Sequence, residues 1–153
     1  MRILNHLCTK GIDPDFKATS KEEVLKKLAA KAVAIAEGMD EAQIFDILHE
    51  REDLGTTGIG QGIAIPHGKI PGLKTLCIIV ARCKDGAPFD AVDAMPVYVI
   101  VLLLAPDDAT TTYLKVLARI SRVLKMEGVV DRIRNARDAT EIKQIIAEAE
   151  NHL

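Results

Sequence analysis

The run Gly58-Ile59-Gly60-Gln61-Gly62-Ile63-Ala64-Ile65-Pro66-His67-Gly68 brings a histidine to the end of a glycine-rich loop and a short apolar strand. Pro66 restricts φ before it and Gly68 frees the position after it, so the imidazole reads as placed for use. With an ordinary pKa near ~6.5, such a ring is largely neutral at pH 7 and can serve as nucleophile, base or ligand. The bland alternative is a satisfied histidine at a strand end. Upstream, Arg51 supplies a guanidinium that either grips two oxygens of an anion or caps a helix C-terminus.

Spacing argues against two common chemistries. No HxxxH or CxxC pair gives His67 a chelating nucleus, and His6, His49 and His152 lack ligand spacing, so no metal is expected. Gly58-x-Gly-x-Gly is not followed by Gly-Lys-Thr or Gly-Lys-Ser and precedes a strand instead of opening a helix. It reads as a loop that meets a protein partner, and no cofactor is expected. Thr56 and Thr57 are ordinary turn hydroxyls that can also donate hydrogen bonds, while Asp90 and Asp93 suit Asx-type turns.

The elements that hold these residues follow from periodicity. Ser20-Lys21-Glu22-Glu23 has capping-box spacing, and Val24, Leu25, Leu28, Ala29, Ala32 and Val33 form one stripe, which predicts a helix from about Lys21 to Glu37, ended by Gly38. Asp40 caps a second helix carrying Ile44, Ile47 and Leu48 inward and stopping near Glu52. Residues 53 to 62 read as a loop, Ile63-Ala64-Ile65 as a short strand, and Leu76 to Ala81 and Val97 to Leu104 as buried strands. The segments Asp85 to Pro88 and Asp90 to Asp93 read as turns. A third long helix, Thr110 to Lys125, is expected to face inward through Leu114, Leu117, Ile120, Ser121 and Leu124. A short helix over Val129 to Arg134 and a last one after Asp138, with Ile142, Ile145, Ile146 and Ala149 inward, complete an α/β pattern.

Composition narrows the function classes. The 153 residues suit one domain, with an aliphatic core that contains no Trp, two Tyr and three Phe. A net charge near −2 argues against nucleic acid as a partner. The N-terminus from Met1 to His6 lacks an apolar signal region, and Val97 to Ala105 falls far short of the ~20 residues a membrane helix needs, so no direct membrane insertion is expected. Cys8, Cys77 and Cys83 are odd in number and form no CxxC, which suits the cytoplasm.

One resemblance goes further. Arg51-Glu52, the run from Gly58 to Gly68, Phe89-Asp90-Ala91-Val92-Asp93 with Pro96-Val97, and Leu114-Lys115-Val116-Leu117-Ala118-Arg119 resemble, in order and spacing, phosphotransferase-system enzyme IIA domains of the mannitol, fructose and nitrogen-regulatory type. The resemblance runs from about Ile3 to Ala149. It implies one domain over 1–153, a single-domain mixed β-sheet flanked by helices on both faces.

It also implies that His67 accepts a phosphoryl group from the histidine-containing phosphocarrier protein. His67 would then hold it as a transient phosphohistidine and pass it to an enzyme IIB or a regulatory target protein. Arg51 is implied as the cation that stabilises the phosphoryl group, with Thr57 and the backbone around Gly58, Gly60 and Gly62 as further donors. Tyr113 stands where many members carry a second histidine. A chain without fused membrane or enzyme IIB segments is most like the nitrogen-regulatory branch; a sugar-specific relay is the alternative.

Overall fold

The computed structural model describes residues 2–7, 9–36 and 38–153. In chain order its strands and α-helices are β1 (Ile12–Asp13), α1 (Lys21–Ile35), α2 (Glu41–Asp53), β2 (Gly58–Gly60), β3 (Ile63–Ala64), β4 (His67–Ile70), β5 (Cys77–Ala87), β6 (Val97–Pro106), α3 (Thr110–Lys125), α4 (Val129–Arg134) and α5 (Ala139–Asn151). The strands form one mixed sheet. β5 and β6 run antiparallel through its middle, β1 joins β5 in parallel, and β3 and β4 pair in parallel with successive stretches of β6. β2 folds back antiparallel on β3.

The aliphatic runs of β5 and β6 are continuous because both faces of the sheet are covered. Val99, Val101, Leu103 and Ala105 pack toward α3, α4 and α5, while Ile100, Leu102 and Leu104 pack toward α1 and α2. Helices therefore flank both faces, as the resemblance implied. Each fully buried Leu or Ile contributes roughly 1.5–3 kcal/mol. No helix among the described residues is long and apolar enough to cross a membrane.

The helix starts follow their caps. Ser20 Oγ accepts from Glu23 N at 3.1 Å, Asp40 from Ala42 N at 3.0 Å and Asp138 from Glu141 N at 2.9 Å. At the other end of α1 the helix stops at Ile35, and the expected end at Glu37 lies outside the described residues, as do Met1 and Cys8. Cys77 and Cys83 share one face of β5, as a period of two requires.

Three expectations are corrected. Gly58–Gly60 is a strand, not loop, because its backbone pairs with β3 and its missing side chains admit the segment behind it: a Cβ on Gly58 would lie 2.9 Å from Ala91 Cα. β5 continues through Asp85 to Ala87, where Gly86 at φ +87 takes the bend that the turn residues suggested. α3 is rotated from its expected face: Tyr113, Val116, Ile120, Val123 and Leu124 are buried, whereas Leu114 is 56% exposed. The β-branched side chains of Val116 and Val123 take the core, and the leucines at 114 and 117 fall beside His67 instead.

Candidate functional site

α2 and β4 bring Arg51 and His67 together. Gly68 makes this possible: a Cβ there would lie 2.7 Å from Ile47 Cγ2, so only glycine lets α2 pack this closely on the start of β4. Arg51 sits in the last turn of that helix and His67 opens the strand. Both line one pocket of about 300 Å³ whose wall also includes Thr56, Thr57, Ile59 and Ile65, with Leu114, Leu117, Ala118 and Ser121 from α3. A larger cleft of about 670 Å³, between Gly86–Ala91 and Ala94–Pro96, contains none of the candidate residues. Chemistry favours the smaller one.

The His67 ring is half-buried, and its Nδ1 lies 2.7 Å from the carbonyl oxygen of Ile65. A carbonyl only accepts, so Nδ1 carries the proton and the neutral ring keeps its lone pair on Nε2. Burial holds the imidazole pKa below the ordinary 6.5; the Ile65 bond opposes this, the Arg51 charge adds to it and the Glu52 charge opposes it. The His67 imidazole is therefore largely neutral across the physiological range, with an Nε2 lone pair that could serve as a nucleophile. Because the unfolded chain binds the proton more readily, the folded state loses stability as pH falls from about 6.5 toward the depressed value. A ring-resonance titration by NMR is expected to give a midpoint below 6.5; a midpoint above it would contradict the burial argument.

Arg51 Nη1 donates to Gly55 O at 2.9 Å, a carbonyl just past the end of α2, so the guanidinium rests at the helix C-terminus, the place that one of its two readings gave it. Its charge is nevertheless felt at the His67 ring in the pocket and at the Tyr113 ring beside it. The Tyr113 ring stands 5.8 Å from the His67 ring, centroid to centroid. Burial pushes the Tyr113 phenol up to about 12, so it stays protonated, and its hydroxyl makes no hydrogen bond among the described residues. It is a donor beside His67.

The loop residues divide. Thr57 reaches the pocket wall, but its N–H donates to Glu52 Oε1 at 2.9 Å and its hydroxyl to Glu52 Oε2, so both donors are already committed. Gly58 N donates to Thr56 Oγ1 and Gly58 O accepts from Val92 N, which places this glycine in the sheet edge. Gly62, at φ +79 against the Tyr98 ring, accepts from Tyr98 N and Val99 N. Gly60, at φ +91, packs on Asp93. The three glycines shape the β2–β3 hairpin and do not line the pocket. Glu52 and Lys21, not foreseen as site residues, lie behind its wall. The Arg51-Glu52 pair was visible, but nothing local in the sequence joins Glu52 to a lysine one helix earlier. Among the described residues no group of three or more His, Cys, Asp or Glu side chains is arranged to hold a metal.

The family model described as "Phosphoenolpyruvate-dependent sugar phosphotransferase system, EIIA 2" matches residues 5–149. A nitrogen regulatory protein of Bradyrhizobium diazoefficiens is 40% identical over 147 residues, covering 96% of this chain and 95% of that one. The crystal structure of nitrogen regulatory protein IIA-Ntr from Neisseria meningitidis is similar at a TM-score of 0.87 and 30% identity, over 93% of this chain and 97% of that one. Enzyme IIA mannitol of Escherichia coli, solved in complex with phosphorylated enzyme IIB mannitol, shares the fold at a TM-score of 0.77 and 18% identity, over 93% and 97% of the two chains.

Proposed function

Because this chain belongs to the phosphoenolpyruvate-dependent sugar phosphotransferase system EIIA 2 family, we propose that it is a phosphoryl-accepting component of that system serving nitrogen or metabolic regulation, with His67 as the acceptor. The observation that carries the chemistry is the Nδ1–H bond to Ile65 O, which leaves the Nε2 lone pair as the nucleophile. The donor is the phosphohistidine of the histidine-containing phosphocarrier protein. As the Nε2–P bond forms, the donor's N–P bond breaks, and no proton need leave His67. Arg51 swings from Gly55 O onto the phosphoryl oxygens, where a guanidinium acts by electrostatic stabilisation and positioning. The apolar side chain of Leu114, exposed on the pocket wall, suits a protein donor better than a small molecule.

The test is labelling from radioactive phosphoenolpyruvate with the two general phosphotransferase proteins, followed by NMR assignment of the phosphorylated ring nitrogen. Label on His67 Nε2 is expected. Label elsewhere, or none, overturns the reading.

Tyr113 stands in for the second histidine as a neutral donor to the transferred group. Tyr113→Phe removes that donor without the ring, and stopped-flow labelling is expected to slow by about tenfold, the weight of one hydrogen bond to a charged group. An unchanged rate would make the tyrosine packing alone. The fold shared with enzyme IIA mannitol, a protein solved with its phosphorylated enzyme IIB, favours a second reading: a sugar-specific relay to an enzyme IIB. Rapid passage of label to such a partner decides for relay. Phosphorylation-dependent capture of a regulatory protein decides for the first reading.

A further inference from the structure

Behind the pocket wall lies a charged cluster that phosphoryl chemistry at His67 does not by itself explain. Glu52 keeps only 4% of its side chain exposed, and Lys21 Nζ lies 2.9 Å from its Oε1. The same ammonium donates to Thr56 Oγ1 at 3.4 Å and stands 4.9 Å above the Phe89 ring. Thr56 Oγ1 in turn accepts from Gly58 N at 3.0 Å and donates to Phe89 O at 3.2 Å. One carboxylate thus joins the first residue of α1, the last turn of α2 and the segment that forms the wall.

A buried carboxylate costs several kcal/mol unless every lone pair is met, so the cluster is not an economical way to hold two helices. What it does supply is geometry and charge. Two oxygens on one planar group accept the Thr57 N–H and O–H together, which an amide or an apolar side chain cannot do. Glu52 is also close enough to act on the His67 ring, opposing the Arg51 charge. An arriving phosphoryl group would meet that carboxylate as a like charge.

We propose that Lys21 and Glu52 are positioning residues of the phosphoryl site: Glu52 fixes the Thr56–Thr57 wall, and Lys21 neutralises the carboxylate so that it does not repel the group entering on His67. This rests on His67 being the acceptor. The groups facing His67 are Arg51 and Glu52 from α2 and Tyr113 from α3, with Lys69 two residues along β4 held by Thr110 Oγ1 at 2.6 Å. Lys21 acts on the ring through Glu52.

The experiment compares Lys21→Met, Glu52→Gln, the double variant and the charge-keeping Lys21→Arg, by NMR titration of the His67 ring and by labelling rate. Lys21→Met is expected to raise the His67 midpoint, because Glu52 is then unopposed, and to slow labelling by about ten- to a hundredfold. Glu52→Gln is expected to lower the midpoint, the opposite direction. The double variant should share the lowered midpoint of Glu52→Gln, since Lys21 acts only through that carboxylate, and recover part of the rate lost in Lys21→Met, and Lys21→Arg should stay near wild type in both. Loosening alone would move both single variants toward the ordinary histidine value, that is, in one direction. That result, or no shift in either, overturns the proposal. The titration needs no phosphorylation, so absence of label in the wild type would sink the acceptor reading separately.

Discussion

His67→Ala is expected to take up no radiolabel from phosphoenolpyruvate, a loss of more than about 10⁴-fold in rate, with the thermal midpoint almost unchanged. The size follows from removing the nucleophile itself, whose loss in other enzymes leaves only residual binding effects. No other histidine substitutes. His49 is exposed on α2 beside Asp53, and His152 Nδ1 is bonded to Glu148 O at the end of α5. The remaining one, His6, lies near the N-terminus, its carbonyl accepting from Ile78 N. Arg51→Met, which leaves the nucleophile and removes the cation, is expected to cost about 10²- to 10³-fold. Measuring both variants separates the two roles: His67→Ala abolishes labelling at any donor concentration, whereas Arg51→Met slows it at saturation. Labelling of His67→Ala at a tenth of the wild-type rate would move the acceptor to another residue.

Much of this site is written locally. Pro66 and Gly68 announce His67, and Gly68 proves to have a packing reason as well, the approach of Ile47. The caps at Ser20, Asp40 and Asp138 start their helices where the spacing places them, because a cap is a contact between residues three apart or fewer. What was hidden depends on distant chain. The face of α3 could not be fixed from periodicity, since Leu114 and Leu117 fit a helical stripe as well as Val116 and Val123 do; only the sheet beneath decides which set is buried. Gly58–Gly60 carries loop composition yet becomes a strand because β3 and the segment at Ala91 lie against it. Lys21 and Glu52 each fit their own helix end, one in the first turn and one in the last, so neither signals that the two meet.

Arg82 shows the same limit at the level of stability, and its replacement carries the largest expected effect outside the site. It reads as an ordinary charged residue between Ala81 and Cys83, yet it is 4% exposed. Its Nε donates to Pro14 O at 2.7 Å, and its Nη1 lies 3.0, 2.9 and 2.8 Å from the carbonyl oxygens of Ile133, Arg134 and Ala136. No carboxylate among the described residues pairs with it; the carbonyl end of α4, where Ile133 O also accepts from Ala136 N, supplies the negative potential. One guanidinium therefore ties β5 to the segment after β1 and to the end of α4. Arg82→Met removes the buried charge, which offsets part of the loss, but takes the donor from the buried Ala136 carbonyl and the part-buried Pro14 and Arg134 carbonyls at about 1–3 kcal/mol each, while Ile133 O keeps the Ala136 N–H. A net loss of about 3 kcal/mol is expected, seen as a fall of roughly 6–12 °C in thermal midpoint. Arg82→Lys should recover less than half, because an ammonium cannot span the same fork of acceptors. A loss under about 1 kcal/mol for Arg82→Met would mean that water or a backbone shift meets those carbonyls instead. Labelling of the folded fraction should stay at the wild-type rate, since Arg82 touches neither the pocket nor the Lys21–Glu52 cluster. That separation follows from the fold: the charges at the end of α2 act on His67, and those at the end of α4 hold the sheet that carries it.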